Sequence, residues 1–164
     1  MSNGKVREAL DHESRLQGED HQSIRLWLRL LTCTNMIEQR LRARLREEFS
    51  ITLPRFDFMA QLERSPKGLT MGELSRRMMV SGGNVSGIAN QLVSEGLINR
   101  TPVPDNRRTF CVKLTPKGRR RFADMAIAHE AWVVEMMGDL SPDEHHQIMA
   151  LLTRLKAGVT DSES

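Results

Sequence analysis

At 164 residues the chain has the size of one ordinary domain, above the range in which disulfides or metals must supply stability. It is 39% hydrophobic and 27% charged, a globular balance, with no apolar run near the roughly 20 residues that span a bilayer and no secretory-type apolar stretch in residues 1–20. Net charge is only +3, yet residues 64–121 carry 12 Lys and Arg against 3 acids, while the remainder carries 12 against 18.

These features exclude a transmembrane protein and lead to the expectation of a cytoplasmic location, in which Cys33 and Cys111 stay thiols. The charge asymmetry fits a module that docks on a polyanion, and a merely solvated basic face is the competing reading. Residues 1–21 lack periodicity and read as a flexible arm. From residue 22 to 49 a long amphipathic helix is expected. Leu26, Leu30, Cys33, Ile37, Leu41 and Leu45 recur at steps of three and four, and Ile24, Leu28 and Leu31 form a second stripe. Two stripes exceed what one small core needs, which points to a partner chain and hence a homodimer.

Thr52 and Pro54 open a second helix with Phe58, Met59 and Leu62 on its apolar side, stopped at Ser65-Pro66-Lys67-Gly68. Thr70 and Glu73 have the spacing of a capping box, in which each side chain satisfies a backbone donor, so a short third helix follows with Leu74 and Met78 inward. Ser81-Gly82-Gly83-Asn84 reads as a turn and cap for a fourth helix that buries Val85, Ile88, Ala89 and Leu92 and ends at Gly96. Residues 97–101 and 109–114 read as two strands of a hairpin with Asp105-Asn106 as the turn. Thr115-Pro116 starts a fifth helix over 116–137, Ser141 and Glu144 cap a sixth over 141–157, and residues 159–164 read as a flexible tail.

The fold class is therefore mainly α with a small β-hairpin wing: a winged helix-turn-helix over 52–115, flanked by dimerisation helices, in a single domain over 22–158. A recognition helix must enter a major groove about 12 Å wide, so its outward residues should be small or hydrogen-bonding. Here they are Gly83, Asn84, Ser86, Gly87, Asn90 and Gln91. Asn and Gln pair with adenine through donor and acceptor together. Each glycine costs a helix roughly 1 kcal/mol, which close approach to DNA would offset; the plainer reading is a poor helix start with a polar face. Arg107 and Arg108 at the hairpin tip are placed to enter the adjacent minor groove, with Asp105 holding Arg107. Arg76, Arg77, Arg100, Lys113 and Lys117 are the candidate phosphate clamps, each with a solvated-surface alternative.

The segments Leu69-Thr70-Met71-Gly72-Glu73-Leu74-Ser75, Asn84-Val85-Ser86, Leu92-Val93-Ser94-Glu95-Gly96-Leu97-Ile98-Asn99-Arg100, Asp105-Asn106-Arg107-Arg108 and Leu114-Thr115-Pro116-Lys117-Gly118 resemble the MarR family of bacterial transcription regulators over residues 23–155. The resemblance implies an obligate homodimer on a pseudo-palindromic DNA operator, usually a repressor released by a small ligand. Two wing positions depart from the pattern: Arg108 stands where many members have an acid, and Phe110 where many have an arginine.

By the same resemblance the effector lies near Trp27, Arg29, Asn35, Met36, Arg40, Phe58, Met59 and His129, and is an aromatic acid or its coenzyme A thioester. The ten methionines suit an adaptable pocket or simply fill core gaps. Arg29, Arg40, Arg42, Arg44 and Arg46 suit a carboxylate or coenzyme A phosphates, or form a solvated face. Residues 30–40 look like the subgroup that senses hydroxycinnamoyl-coenzyme A thioesters. A redox trigger is the rival, although Cys33, read as buried on an apolar face, and Cys111, in a wing strand, lack the marks of a sensor. No metal site, cofactor or catalytic constellation is expected: the five histidines have no ligand spacing, and no phosphate-loop lysine or nucleophile elbow is present. A helical interaction adaptor without DNA affinity is the alternative from another class.

Overall fold

The computed structural model describes residues 21–78 and 82–161. Residues 1–20 of the expected arm over 1–21, residues 79–81 ahead of the fourth helix, the last three residues and the side chains of Arg107 and Asp161 lie outside the described residues. The elements run α1 (Gln22–Phe49), α2 (Leu53–Glu63), β1 (Leu69–Thr70), α3 (Met71–Met78), α4 (Gly82–Ser94), β2 (Ile98–Val103), β3 (Asn106–Leu114), α5 (Pro116–Met136) and α6 (Pro142–Asp161). Two compact units are formed, one ending at Ile127 and one beginning at Ala128.

In the first unit the signals read at Thr70, Gly96 and Thr115 act as expected, and Ser50 adds a helix end that the sequence did not mark. Ser50 ends α1 in the left-handed conformation, φ 52°, and its N–H bonds back to Arg46 O at 3.1 Å. The Thr70 N–H donates to Glu73 Oε2 at 2.7 Å while the Glu73 N–H donates to Thr70 Oγ1 at 3.2 Å, closing the capping box at α3. At α5 the Gly118 N–H donates to Thr115 Oγ1 at 2.9 Å. Gly96 takes φ +70°, the left-handed cap that lets the chain leave α4 and enter β2.

The hairpin is part of a larger sheet. Three antiparallel strands lie in the order β1-β3-β2, with Leu69 opposite Val112 and Ile98 opposite Leu114. Two residues of β1 carry no readable periodicity, and their strand character comes from pairing alone. Phe58, Met59, Leu74, Val85, Leu92 and Val112 are fully buried and join the helices to the sheet. Phe56 stacks on Phe122 with ring centroids 5.4 Å apart, and Arg121 donates to the Phe49 carbonyl, so the start of α5 is fixed to α1 and α2.

Several boundaries differ from expectation. Helix α4 begins at Gly82, so Gly82, Gly83 and Asn84 are helical rather than a turn. The wing turns at Pro104-Asp105, one residue earlier than expected, which puts Arg107 and Arg108 on β3 instead of at the tip. Only Leu41 and Leu45 of α1 are buried; Cys33 is exposed, because helical spacing marks a stripe without saying what covers it.

In the second unit α6 opens with the second capping box: the Ser141 N–H donates to Glu144 Oε2 at 2.7 Å, and the Glu144 N–H to Ser141 Oγ at 3.3 Å. The helix continues to Asp161, so residues 159–161, expected as tail, are helical. Its Met149, Leu151, Leu155 and Val159 are exposed in the single chain. Among the described residues no helix is long and apolar enough to cross a membrane.

Candidate nucleic-acid interface

Helix α4 is anchored by Val85, Ala89 and Leu92, spaced i, i+4 and i+7 and fully buried. That anchor leaves Gly83, Asn84, Ser86, Gly87, Asn90 and Gln91 exposed together, as expected. The structure divides five of them between two flanks. Gly83, Asn84, Gly87 and Gln91 line a cleft of about 570 Å3, whose facing wall is Arg42 and Arg46 of α1 and Thr52, Leu53, Pro54 and Arg55 at the start of α2. Asn90 faces the wing, where its Oδ1 accepts a hydrogen bond from Arg100 Nη1 at 2.8 Å. The Arg100 guanidinium in turn lies over the Phe110 ring, 5.1 Å from its centroid. The departure at Phe110 thus has a local reason: an aromatic face steadies the arginine that joins recognition helix to wing.

No packing reason requires glycine on this helix. A Cβ built at Gly82, Gly83 or Gly87 meets nothing within 4 Å. Gly68 and Gly118 behave differently: Gly68 takes φ +92° against β3, and a Cβ on Gly118 would overlap the Leu97 carbonyl.

The wing is irregular at its end. The register steps from Pro102 opposite Phe110 to Val103 opposite Asn106, so residues 107–109 have no partners on β2 and bulge from the ladder. Asn106 stabilises the bulge, its Oδ1 accepting the Arg108 N–H at 3.1 Å. Arg108 is exposed, as is Asp105; the expected contact between Asp105 and Arg107 involves a side chain outside the described residues.

The candidate phosphate clamps are spread around this surface. Arg76 and Arg77 are exposed in the last turn of α3, and Arg77 Nη1 donates to Ser65 Oγ at 3.1 Å. Lys113 is exposed on β3 opposite Asn99. Lys117 Nζ donates to the Glu95 carbonyl at 2.9 Å, while the Glu95 carboxylate pairs with Arg55. Lys117 and Arg55 therefore hold the C-terminal end of α4 from two sides. Sequence reasoning missed that role for both, since their partner lies 22 residues from one and 40 from the other.

Within the first unit the candidate effector residues lie in different settings. Phe58 and Met59 are sealed in the core, Trp27, Asn35, Met36 and Arg40 are exposed along α1, and Arg29 lines a separate cleft with Gln22, Arg25 and Leu26. His129 belongs to the second unit, where partial burial pushes its imidazole below the ordinary value. Cys111 Sγ lies 3.7 Å from the Lys67 carbonyl.

Residues 49–109 match the model of the MarR family. A solved MarR family transcriptional regulator from Silicibacter pomeroyi is 32% identical, covering 90% of this chain and 100% of that one at a TM-score of 0.70. The chain belongs to the MarR family of DNA-binding transcriptional regulators. Among curated relatives, the transcriptional activatory protein BadR of Rhodopseudomonas palustris is 28% identical over 139 residues, 80% of this chain and 79% of that one. The chain spans only 58% of the length of two other curated regulators that it matches. The MepR–DNA complex of S. aureus has the same fold, with a TM-score of 0.70 at 21% identity over 79% of this chain and 94% of that one. These MarR-family relatives are transcriptional regulators and not enzymes.

Proposed function

We propose that the protein is a homodimeric, operator-binding repressor released from DNA by a small ligand. Within the molecule, the observation that carries DNA binding is the composition of the α4 surface. A helix anchored by three buried residues presents two glycines, two asparagines, a serine and a glutamine, with arginines on both flanks. Small and amide side chains are what base edges in the major groove accept, and guanidinium groups beside them meet the phosphate rows.

Homodimerisation is supported by apolar surface left uncovered in the single chain. Trp27 is 59% exposed on α1, and Met149 and Leu151 on α6 are 65% and 60% exposed. Apolar helix faces of this kind are stabilised by burial against a second copy. Repression follows from simple occupancy of a promoter; the name of BadR, a transcriptional activatory protein, supports activation as the second reading.

For the effector we retain an aromatic acid or its coenzyme A thioester, including a hydroxycinnamoyl thioester, near Trp27, Arg29, Asn35, Met36 and Arg40 of α1. Arg29 and Arg40 support an anionic ligand. Transcription from the chain's own upstream region should fall when the protein is added and recover with such a ligand. The same ligand should raise the melting temperature, because it binds the native state. Transcription that rises on adding the protein would replace repression by activation. Retained repression with every aromatic acid and thioester tried would remove the ligand class. The exposed Cys33 keeps a redox trigger in play, and peroxide release that survives Cys33→Ser with Cys111→Ser would exclude it.

A further inference from the structure

The cleft between α4 and the α1–α2 corner has a composition that base reading does not use. Its lining includes three arginines, Arg42, Arg46 and Arg55, and no acid. Two of the three are partly engaged: Arg42 Nη2 pairs with Glu38 at 2.8 Å, and Arg55 pairs with Glu95. The Arg46 guanidinium has no ion-pair partner among the described residues, and the Arg55 Nε is buried without a hydrogen bond. The start of α2 adds to this field. Thr52 makes no side-chain cap, and the first N–H to bond back is that of Phe56, to Thr52 O at 3.0 Å, so the donors of the first turn are left for another acceptor. The opposite wall carries Gly83 and Gly87, four residues apart, each with open space where a Cβ would stand.

We propose that this cleft seats a phosphodiester of the bound duplex, with Arg46 as its principal ligand and the remaining donors of Arg42 assisting. The inference rests on α4 being the groove helix. A helix is about 10–12 Å across with its side chains and the major groove about 12 Å wide, so a helix in the groove has a phosphate row along each flank. On the wing flank Arg100 is in place. On the other flank the cleft supplies the matching positive wall, and the glycines remove the bulk that would hold the sugar-phosphate chain away from it. Arg42 and Arg46 thereby become residues that position the helix in its groove without reading sequence.

The test is a fluorescence anisotropy titration of a duplex from the chain's own upstream region, repeated from about 50 to 200 mM salt. Arg46→Ala should make the slope of log affinity against log salt shallower by about 0.9 for each protomer, the signature of one lost phosphate contact. Arg46→Lys should restore most of the slope. Arg25→Ala removes the same charge from the same helix about 30 Å away, by the 1.5 Å rise per residue, and should leave the slope unchanged. Circular dichroism matching the parent would show that the fold is intact. A parent slope retained by a folded Arg46→Ala protein that still binds the duplex would overturn the seat alone. A parent protein with no duplex affinity would overturn the assignment of α4 itself.

Discussion

Gly87→Ala should make the protein more stable and a poorer DNA binder. Gly87 sits inside α4, where alanine is favoured over glycine by about 0.8–1.0 kcal/mol. A Cβ there meets nothing within 4 Å, so no clash subtracts from that gain. For a chain of this size the gain corresponds to a rise in melting temperature of about 2–4 °C. The same methyl stands on the cleft wall facing Arg42 and Arg46. Holding the sugar-phosphate chain away from those guanidinium groups forfeits a charge-assisted hydrogen bond, about 1.5–3 kcal/mol, or roughly tenfold to a hundredfold in affinity. Differential scanning fluorimetry and an anisotropy titration of one duplex read the two effects on one sample. A melting temperature that rises while duplex affinity stays at the parent value would refute the close approach of DNA to this face. A falling melting temperature would refute the open helical environment itself.

The Arg100 link, the capping box and the Gly118 contact give three further tests. Phe110→Ala should weaken duplex binding about two- to fivefold by releasing Arg100 from its ring, and should be less than additive with Asn90→Ala in a double-mutant cycle, since both act through that guanidinium. Thr70→Ala should cost about 1 kcal/mol, measured by urea unfolding. Separately, the Thr70 N–H holds the Glu73 carboxyl below its ordinary value, so the stability that the ionised Glu73 adds is present above about pH 4.5 and is lost as pH falls through the lower folded-state value; Glu73→Gln should remove that acid-side dependence. Gly118→Ala places a Cβ against the Leu97 carbonyl oxygen, forcing the start of α5 off the sheet, and should lower stability by about 1–3 kcal/mol, a clear drop in melting temperature.

Features that act over a few residues were legible in the sequence. Thr70 with Glu73, Thr115 ahead of Gly118 and Ser141 with Glu144 each marked a helix start that the structure keeps, because a capping bond spans only three positions. The buried stripe of α4 was readable from Val85, Ala89 and Leu92 for the same reason. Errors arose where two local signals competed. Gly82 and Gly83 read as breakers, yet they begin a helix; Pro104-Asp105 and Asp105-Asn106 are both turn dipeptides, and the first is used. Residues 159–161, read as tail, continue α6, because the isolated Gly158 only weakens a helix. What joins distant segments was not legible. The arginine wall draws on α1 and α2, the Asn90–Arg100–Phe110 chain on α4 and both long strands, and no spacing rule connects them. The uncovering of Cys33 has the same origin, since periodicity identifies a stripe and says nothing of its cover.

Titration of the full chain against a duplex from its own upstream region, beside an unrelated duplex of equal length, bears most directly on α4 as a groove-reading helix. At fixed salt the upstream duplex should bind at least about a thousandfold tighter, and both affinities should fall steeply as salt rises. Equal affinity for the two duplexes at every salt concentration, or none for either, would contradict it.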